Sequence, residues 1–172
     1  MVSSLDGFIA KKDGSVSWLR STDYYSKGKS LTAEEMEQFN ASIDCYVMGS
    51  RTYQHALELG WPYGETPVVV LTHRKLSSDR KNIKFSAKDP TALVNDELKS
   101  KFKNIWMVGG SKLAKEFLRL DLADDIVIAF MPILLGDGLL FFDFIGKEQR
   151  LHLKDVTAYS DGMVELWYEI KN

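Results

Sequence analysis

Only one cysteine, Cys45, occurs among the 172 residues. No internal disulfide can form, so a disulfide-stapled secreted fold is excluded and a reducing cytoplasm is the expected setting. Long hydrophobic runs are missing as well. The longest lies near residues 126–135, is interrupted by Pro132, and is too short to span a bilayer. The chain does not open on a basic segment followed by an apolar stretch, so no signal peptide is expected. An excess of charge of one sign is also lacking: the formal net charge is −2, which gives no global field toward nucleic acid or an anionic membrane. His55, His73 and His152 show no metal-ligand spacing among themselves or with Cys45, so no metal site is expected. A G-x-S-x-G nucleophile elbow is absent. Repeats, linkers and low-complexity segments are absent too, which predicts one domain over 1–172. The first residues, Met1-Val2-Ser3-Ser4-Leu5, already read as part of a strand, as though a few residues preceded them.

What is present is an ordinary globular composition, 45% apolar and 27% charged. Residues 2–10 predict a short strand carrying a turn at Asp6-Gly7, followed by an irregular loop to about residue 30. Thr32 and Glu35 form a capping-box pattern, with Ala33, Met36, Phe39 and Ile43 at helical spacing behind it. Residues 45–49 read as a buried strand. Ser50 then caps a helix to about Leu59, with Tyr53, Ala56 and Leu57 inward. Pro67–Thr72 is the clearest strand; its lack of polar alternation predicts cover on both faces, as in a parallel sheet. Further strands are expected at 83–86, 105–108, 125–131, 151–160 and 163–170, the last two joined by Asp161-Gly162. Helices are expected at 90–102 and 111–120. Alternation of this kind predicts an α/β sheet with helices on both faces.

Three strand exits carry groups suited to oxyanions. Val108-Gly109-Gly110-Ser111-Lys112-Leu113 runs from strand through paired glycines into a helix, where N–H groups and positive partial charge suit a pyrophosphate. It is not the G-x-G-x-x-G fingerprint. Gly49-Ser50-Arg51-Thr52 repeats the design with a cation added. Leu71-Thr72-His73-Arg74 ends a third strand in a hydroxyl, an imidazole and a cation, which suits a phosphate monoester. Each alone is equally served by a tight turn or a solvated loop. A parallel sheet puts all three on one edge, and such a row fits a dinucleotide.

The sequence resembles the dihydrofolate-reductase-like superfamily. The resemblance rests on Ser4-Leu5-Asp6-Gly7-Phe8-Ile9-Ala10, Asp13-Gly14-Ser15-Val16-Ser17-Trp18, Met48-Gly49-Ser50-Arg51-Thr52-Tyr53, Val108-Gly109-Gly110 and Pro132-Ile133-Leu134-Leu135-Gly136-Asp137-Gly138, in that order. Within the superfamily it is most similar to the reductase domain of the bacterial riboflavin-biosynthesis deaminase-reductase. The resemblance implies a three-layer αβα fold, with about eight mostly parallel strands and an antiparallel C-terminal hairpin. It implies NADPH across the carboxyl ends of the strands. Ile9 and Ala10 would lie near the nicotinamide carboxamide. Gly49, Ser50, Arg51 and Thr52 would hold the pyrophosphate and adenosine side, and Leu71, Thr72, His73 and Arg74 the adenosine 2′-phosphate. Val108, Gly109, Gly110, Ser111, Lys112 and Leu113 would cradle the pyrophosphate from the other side. Trp18, Met36 and Phe39 would face the substrate. A carboxylate on the first helix supports protonation in folate reductases, and Glu35, four residues before Phe39, has the matching offset.

Two departures bear on the substrate. Glu65 stands where folate enzymes place an arginine for the substrate's glutamate tail. Val108 stands where the riboflavin-pathway domain commonly has a glutamate. The expected function is therefore NADPH-dependent reduction of a small heterocyclic or carbonyl substrate, akin to the ribosylamino-pyrimidine reductases. Dihydrofolate reduction proper, and cofactor binding without turnover, are the alternatives. Asp6 reads as a turn residue and Cys45 as an inert core thiol. The apolar run Leu139–Phe144 reads as core or as the surface of a homodimer.

Overall fold

Runs of β-branched and apolar residues without polar alternation make strands that are buried on both faces. The computed structural model describes residues 1–142 and 144–171. In chain order its elements are β1 (Val2–Ser4), β2 (Phe8–Ala10), a 3₁₀ turn (Ser17–Leu19), α1 (Ala33–Ala41), β3 (Cys45–Gly49), α2 (Ser50–Glu58), β4 (Val68–Leu71) and β5 (Ile83–Ser86). There follow α3 (Pro90–Ala92), a π-helical segment (Leu93–Leu98), β6 (Ile105–Gly109), α4 (Ser111–Arg119), β7 (Asp125–Met131), β8 (Leu139–Leu140), β9 (Arg150–Ala158) and β10 (Val164–Lys171). Two compact units can be told apart, Met1–Thr32 with Ala123–Asn172, and Ala33–Leu122.

In the second unit the strands lie in the order β5-β4-β3-β6, and every ladder is parallel. Val47, Met48, Val68 and Val70 are sealed at its centre. Alternation sends Tyr46, Met48, Val68 and Val70 to one face, against Ile43, Tyr53, Ala56 and Trp61. Cys45, Val47 and Val69 point to the other face, against Leu93, Val94, Leu98 and Phe117. Helix α2 thus covers one face, and α4 with the π-helical segment the other, which makes three layers. Glu97 of the π-helical segment lies between Lys84 and Lys88. Their ammonium groups hold its carboxyl down at about 2, tying this segment to β5.

The first unit holds a four-stranded sheet, β1-β7-β10-β9, and a two-stranded ribbon, β2-β8. Strand β1 runs parallel to β7, while β7-β10 and β10-β9 are antiparallel. The turn between β1 and β2 is held by Asp6. Its carboxylate accepts from the Ser4 hydroxyl at 2.6 Å and from the amides of Leu135 and Gly136 at 3.1 and 2.7 Å. These bonds, the Ser4 hydroxyl first, hold its pKa below the usual carboxylate value. A depressed folded-state pKa stabilises the fold above the unfolded value, and this is lost as pH falls through the folded one. Asp6→Asn is therefore expected to melt below the parent at pH 7, with the gap closing as pH drops below 3.8; a constant gap across a pH series of melting curves overturns this.

The α/β class read from the sequence is the one observed. Its strands pair as two four-stranded sheets and a ribbon, and the short β8 was not anticipated because Leu139–Leu140 are too few to show a period. The helix expected at 90–102 turns π-helical after Ala92. No residue of α1 is buried; Met36 and Phe39 are 51% and 45% exposed. Helical spacing marks an apolar face but does not supply a cover for it. Leu57, expected inward, is exposed, and α2 ends just beyond it in a Schellman turn. Gly60, at φ 89°, and Trp61 donate to the carbonyls of Leu57 and Ala56, and the Trp61 ring packs on Tyr53 at 5.9 Å. Cys45 is wholly buried, and desolvation pushes its thiol up to about 11. It is expected to resist an aromatic disulfide reagent at pH 8 and to react once per chain in denaturant; rapid reaction in the native state overturns this.

Candidate functional site: the carboxyl edge of the parallel sheet

The three glycine- and cation-bearing exits belong to adjacent strands. In register, Gly49 of β3 pairs with Leu71 of β4, and Met48 of β3 with Gly109 of β6. All three strands run the same way, so their carboxyl ends share one edge. The strand order reverses there: β4 and β5 lie to one side of β3, and β6 to the other. Tyr53 and Ala56 pack α2 on one face of this sheet and Phe117 packs α4 on the other, the arrangement that leaves a crevice between neighbouring strand ends, here β3 and β6, in open α/β sheets. Val108 is the extra residue in the register shift that precedes Gly109, a bulge at the mouth of this crevice.

The helix beginnings at the crevice differ from those of α1 and α3. At α3 the Asp89 carboxylate accepts from the amides of Thr91 and Ala92, the usual side-chain cap. Helix α1 carries Glu34 and Glu35 in its first turn, complementing the helix dipole. Helices α2 and α4 have neither device: Gly49 and Gly110 are their N-caps, no side chain caps them, and no acid occupies either first turn. Cations stand there instead, Arg51 and Lys112. Ser50 does not cap α2 as its sequence position suggested; it is the first helical residue, because Gly49 takes the extended cap conformation. The two first turns approach one another, since a Cβ built on Gly110 would stand 3.7 Å from Thr52 Oγ1. A Cβ on Gly49 would meet nothing within 4 Å. Two uncapped, acid-free helix ends at neighbouring strand exits leave backbone N–H groups without side-chain partners, the chemistry that can receive an oxyanion.

At the end of β4, Leu71 and Thr72 are half-buried, and His73, Arg74 and Lys75 are exposed. The Thr72 hydroxyl accepts from the Arg74 amide at 3.0 Å. The Arg74 guanidinium donates to Gln54 Oε1 of α2 at 3.0 Å, a tether with no signal in the sequence because its partners lie 20 residues apart. Ser111 and Leu113 lie half-buried in the first turn of α4. Glu35 is the one residue of α1 that is half-buried, and Phe39 meets Trp106 edge-on at 4.9 Å. In the other unit, Ile9 and Ala10 lie in β2, whose partner is β8. Trp18 is 6% exposed, and its indole N–H meets no acceptor among the described residues. Among the described residues no cluster of three or more His, Cys, Asp or Glu is placed to hold a metal, and no helix is long and apolar enough to cross a membrane.

A parallel sheet with helices on both faces and a reversal of strand order between β3 and β6 defines an α/β protein of the open-sheet class, in which ligands bind outside the strands' carboxyl ends. More particularly, the chain belongs to the RibD C-terminal domain family, which its residues 1–165 match. YwjB of Bacillus subtilis, itself uncharacterized, is 30% identical over 167 residues, covering 96% of this chain and 92% of that protein. YyaP of the same organism, also uncharacterized, is 26% identical and covers 96% and 89%. A Shewanella sp. PV-4 crystal structure, described as a candidate riboflavin biosynthesis protein, is 25% identical with a TM-score of 0.84, covering 100% of this chain and 97% of that one. The Thermotoga maritima diaminohydroxyphosphoribosylaminopyrimidine deaminase/5-amino-6-(5-phosphoribosylamino)uracil reductase shares the fold at 16% identity, with a TM-score of 0.69 over 99% of this chain and 55% of that one.

Proposed function

We propose that the protein is an NADPH-dependent reductase of a small heterocyclic or carbonyl compound. The observation that carries this reading is the pair of uncapped, acid-free helix ends, α2 and α4, flanking the β3–β6 crevice. Gly49, Ser50, Arg51 and Thr52 would hold the pyrophosphate from one side, and Val108, Gly109, Gly110, Ser111, Lys112 and Leu113 from the other. Backbone amides supply hydrogen bonds there, and Arg51 and Lys112 supply charge. The basic end of β4, Leu71 to Arg74, would take the 2′-phosphate that distinguishes NADPH from NADH. When bound, the reduced nicotinamide supplies a hydride. The protein's part is to hold the reacting partners in line and to keep water out.

Membership of the RibD C-terminal domain family, and the reductase named in the Thermotoga protein, support a pyrimidine-like substrate class. Glu35 is the candidate proton-supplying group: it sits half-buried on a helix whose other residues are exposed. Met36 and Phe39, on the same helix, are the candidate substrate contacts in this unit, and Trp18 is the candidate in the other. Leu139, Leu140, Phe142 and Phe144 are exposed, Phe144 by 80%, while Phe141 is buried, so the run is part core and its exposed members support a homodimer surface.

Titration with NADPH, followed by its fluorescence and then by its oxidation over a panel of pterins, pyrimidine ribosides and simple carbonyl compounds, tests the reading. Saturable binding with turnover of one class supports it. Absence of binding overturns it, and binding without oxidation on any panel member favours the non-catalytic alternative. Glu35→Gln with unchanged turnover removes Glu35 from the chemistry. Light scattering that gives the monomer mass removes the dimer.

A further inference from the structure

Arg74 and Gln54 are joined by a bond that the proposed cofactor does not itself require. The guanidinium Nη1 donates to Gln54 Oε1 at 3.0 Å. The Arg74 amide is fixed by the Thr72 hydroxyl, also at 3.0 Å, so the backbone is held at one end of the side chain and the planar head at the other. Gln54 lies one turn along α2 from Ser50, on the exposed side of the helix. Arg74 is therefore drawn toward the helix whose first turn borders the crevice.

The chemistry of the partner matters. A surface arginine is usually oriented by a carboxylate, as Arg119 is by Glu116 at 2.8 Å. A carboxylate orients the guanidinium but also cancels its charge and occupies a face that could grip a phosphate in two-pronged fashion. The neutral Gln54 oxygen accepts one hydrogen bond from the guanidinium and leaves the positive charge whole. The guanidinium's remaining N–H donors stay available in a fixed plane. Orienting a long side chain before the ligand arrives also removes part of the entropy lost on binding.

We infer that Gln54 is a specificity-determining positioning residue: it presents Arg74, undiminished in charge, to a phosphate monoester on the ribose of an adenine nucleotide. The inference rests on the reading of the β4 end as the 2′-phosphate site. It adds that selectivity for the phosphorylated nucleotide depends on a neutral residue of α2.

The test is binding, not turnover. Affinities for NADPH, NADH, adenosine 2′,5′-bisphosphate and adenosine 5′-monophosphate are measured calorimetrically for the parent, Gln54→Glu, Gln54→Ala and Arg74→Ala. Gln54→Glu should weaken NADPH and the bisphosphate about tenfold or more, because it pairs Arg74 with a competing carboxylate, and leave NADH and the monophosphate within about twofold. Gln54→Ala should lose selectivity in the same direction by about threefold to fivefold, because it frees the side chain without neutralising it. In an Arg74→Ala background Gln54→Ala should have no further effect on selectivity. If both Gln54 variants lower all four ligands equally, Gln54 is merely structural and the inference falls. If Arg74→Ala removes the preference for the bisphosphate while both Gln54 variants keep it, the inference falls but the β4 site stands. If the parent shows no preference for the bisphosphate, the β4 site and the inference fall together.

Discussion

Gly49→Ala is expected to weaken NADPH binding at least about tenfold, close to 1.4 kcal/mol, while leaving the protein folded. Gly49 has φ −83°, which any residue adopts, and a Cβ there would touch nothing within 4 Å. The fold therefore has room for the methyl group. Its direct cost is the poorer performance of alanine at a helix N-cap, about 0.5–1 kcal/mol. In the proposed pyrophosphate berth the ligand would lose more, because the methyl group would stand where a phosphate oxygen is to approach the first amides of α2. The melting temperature and the NADPH titration are read on the same samples. An unchanged affinity would mean that the space beside Gly49 is not the pyrophosphate berth.

Leu93→Ala is expected to carry the largest stability loss, about 2–5 kcal/mol, or a fall of roughly 5–15 °C in melting temperature. Leu93 has no exposed surface and packs in the cluster of Cys45, Val47, Val69 and Phe117. It opens the π-helical segment, so the backbone around it is already committed to one geometry and has little room to collapse into a cavity. Denaturant unfolding checks this: the midpoint should drop with the slope unchanged. A loss below about 1 kcal/mol would show that the face under α4 and the π-helical segment relaxes freely. Residual NADPH binding at low temperature is expected to survive, because the β3 and β6 exits are untouched.

The parallel sheet was legible because its strands are short, apolar and bounded by glycine, proline or polar turns. Cys45–Gly49, Val68–Leu71 and Ile83–Ser86 appear where their composition places them. Convergence of three exits on one edge followed from parallelism alone. The tether between Gln54 and Arg74 was not legible, since nothing local marks a bond across 20 residues. The absence of capping at α2 was likewise hidden. A serine after a strand looks like a cap, and only backbone angles reveal that Gly49 has taken that place. Asp6 was legible as a turn residue, but its bonds to Leu135 and Gly136 cross the sequence and could not be read from it. The apolar face of α1 was visible as a period, whereas its exposure depends on what the rest of the chain offers to cover it.

The sealed Cys45 leaves the surface without a competing thiol among the described residues. A cysteine introduced at an exposed position such as Lys75 would accept a single dye or spin probe with negligible background. Such a reporter beside the crevice would register ligand arrival through quenching or altered mobility, without any need for the reduced cofactor's own emission.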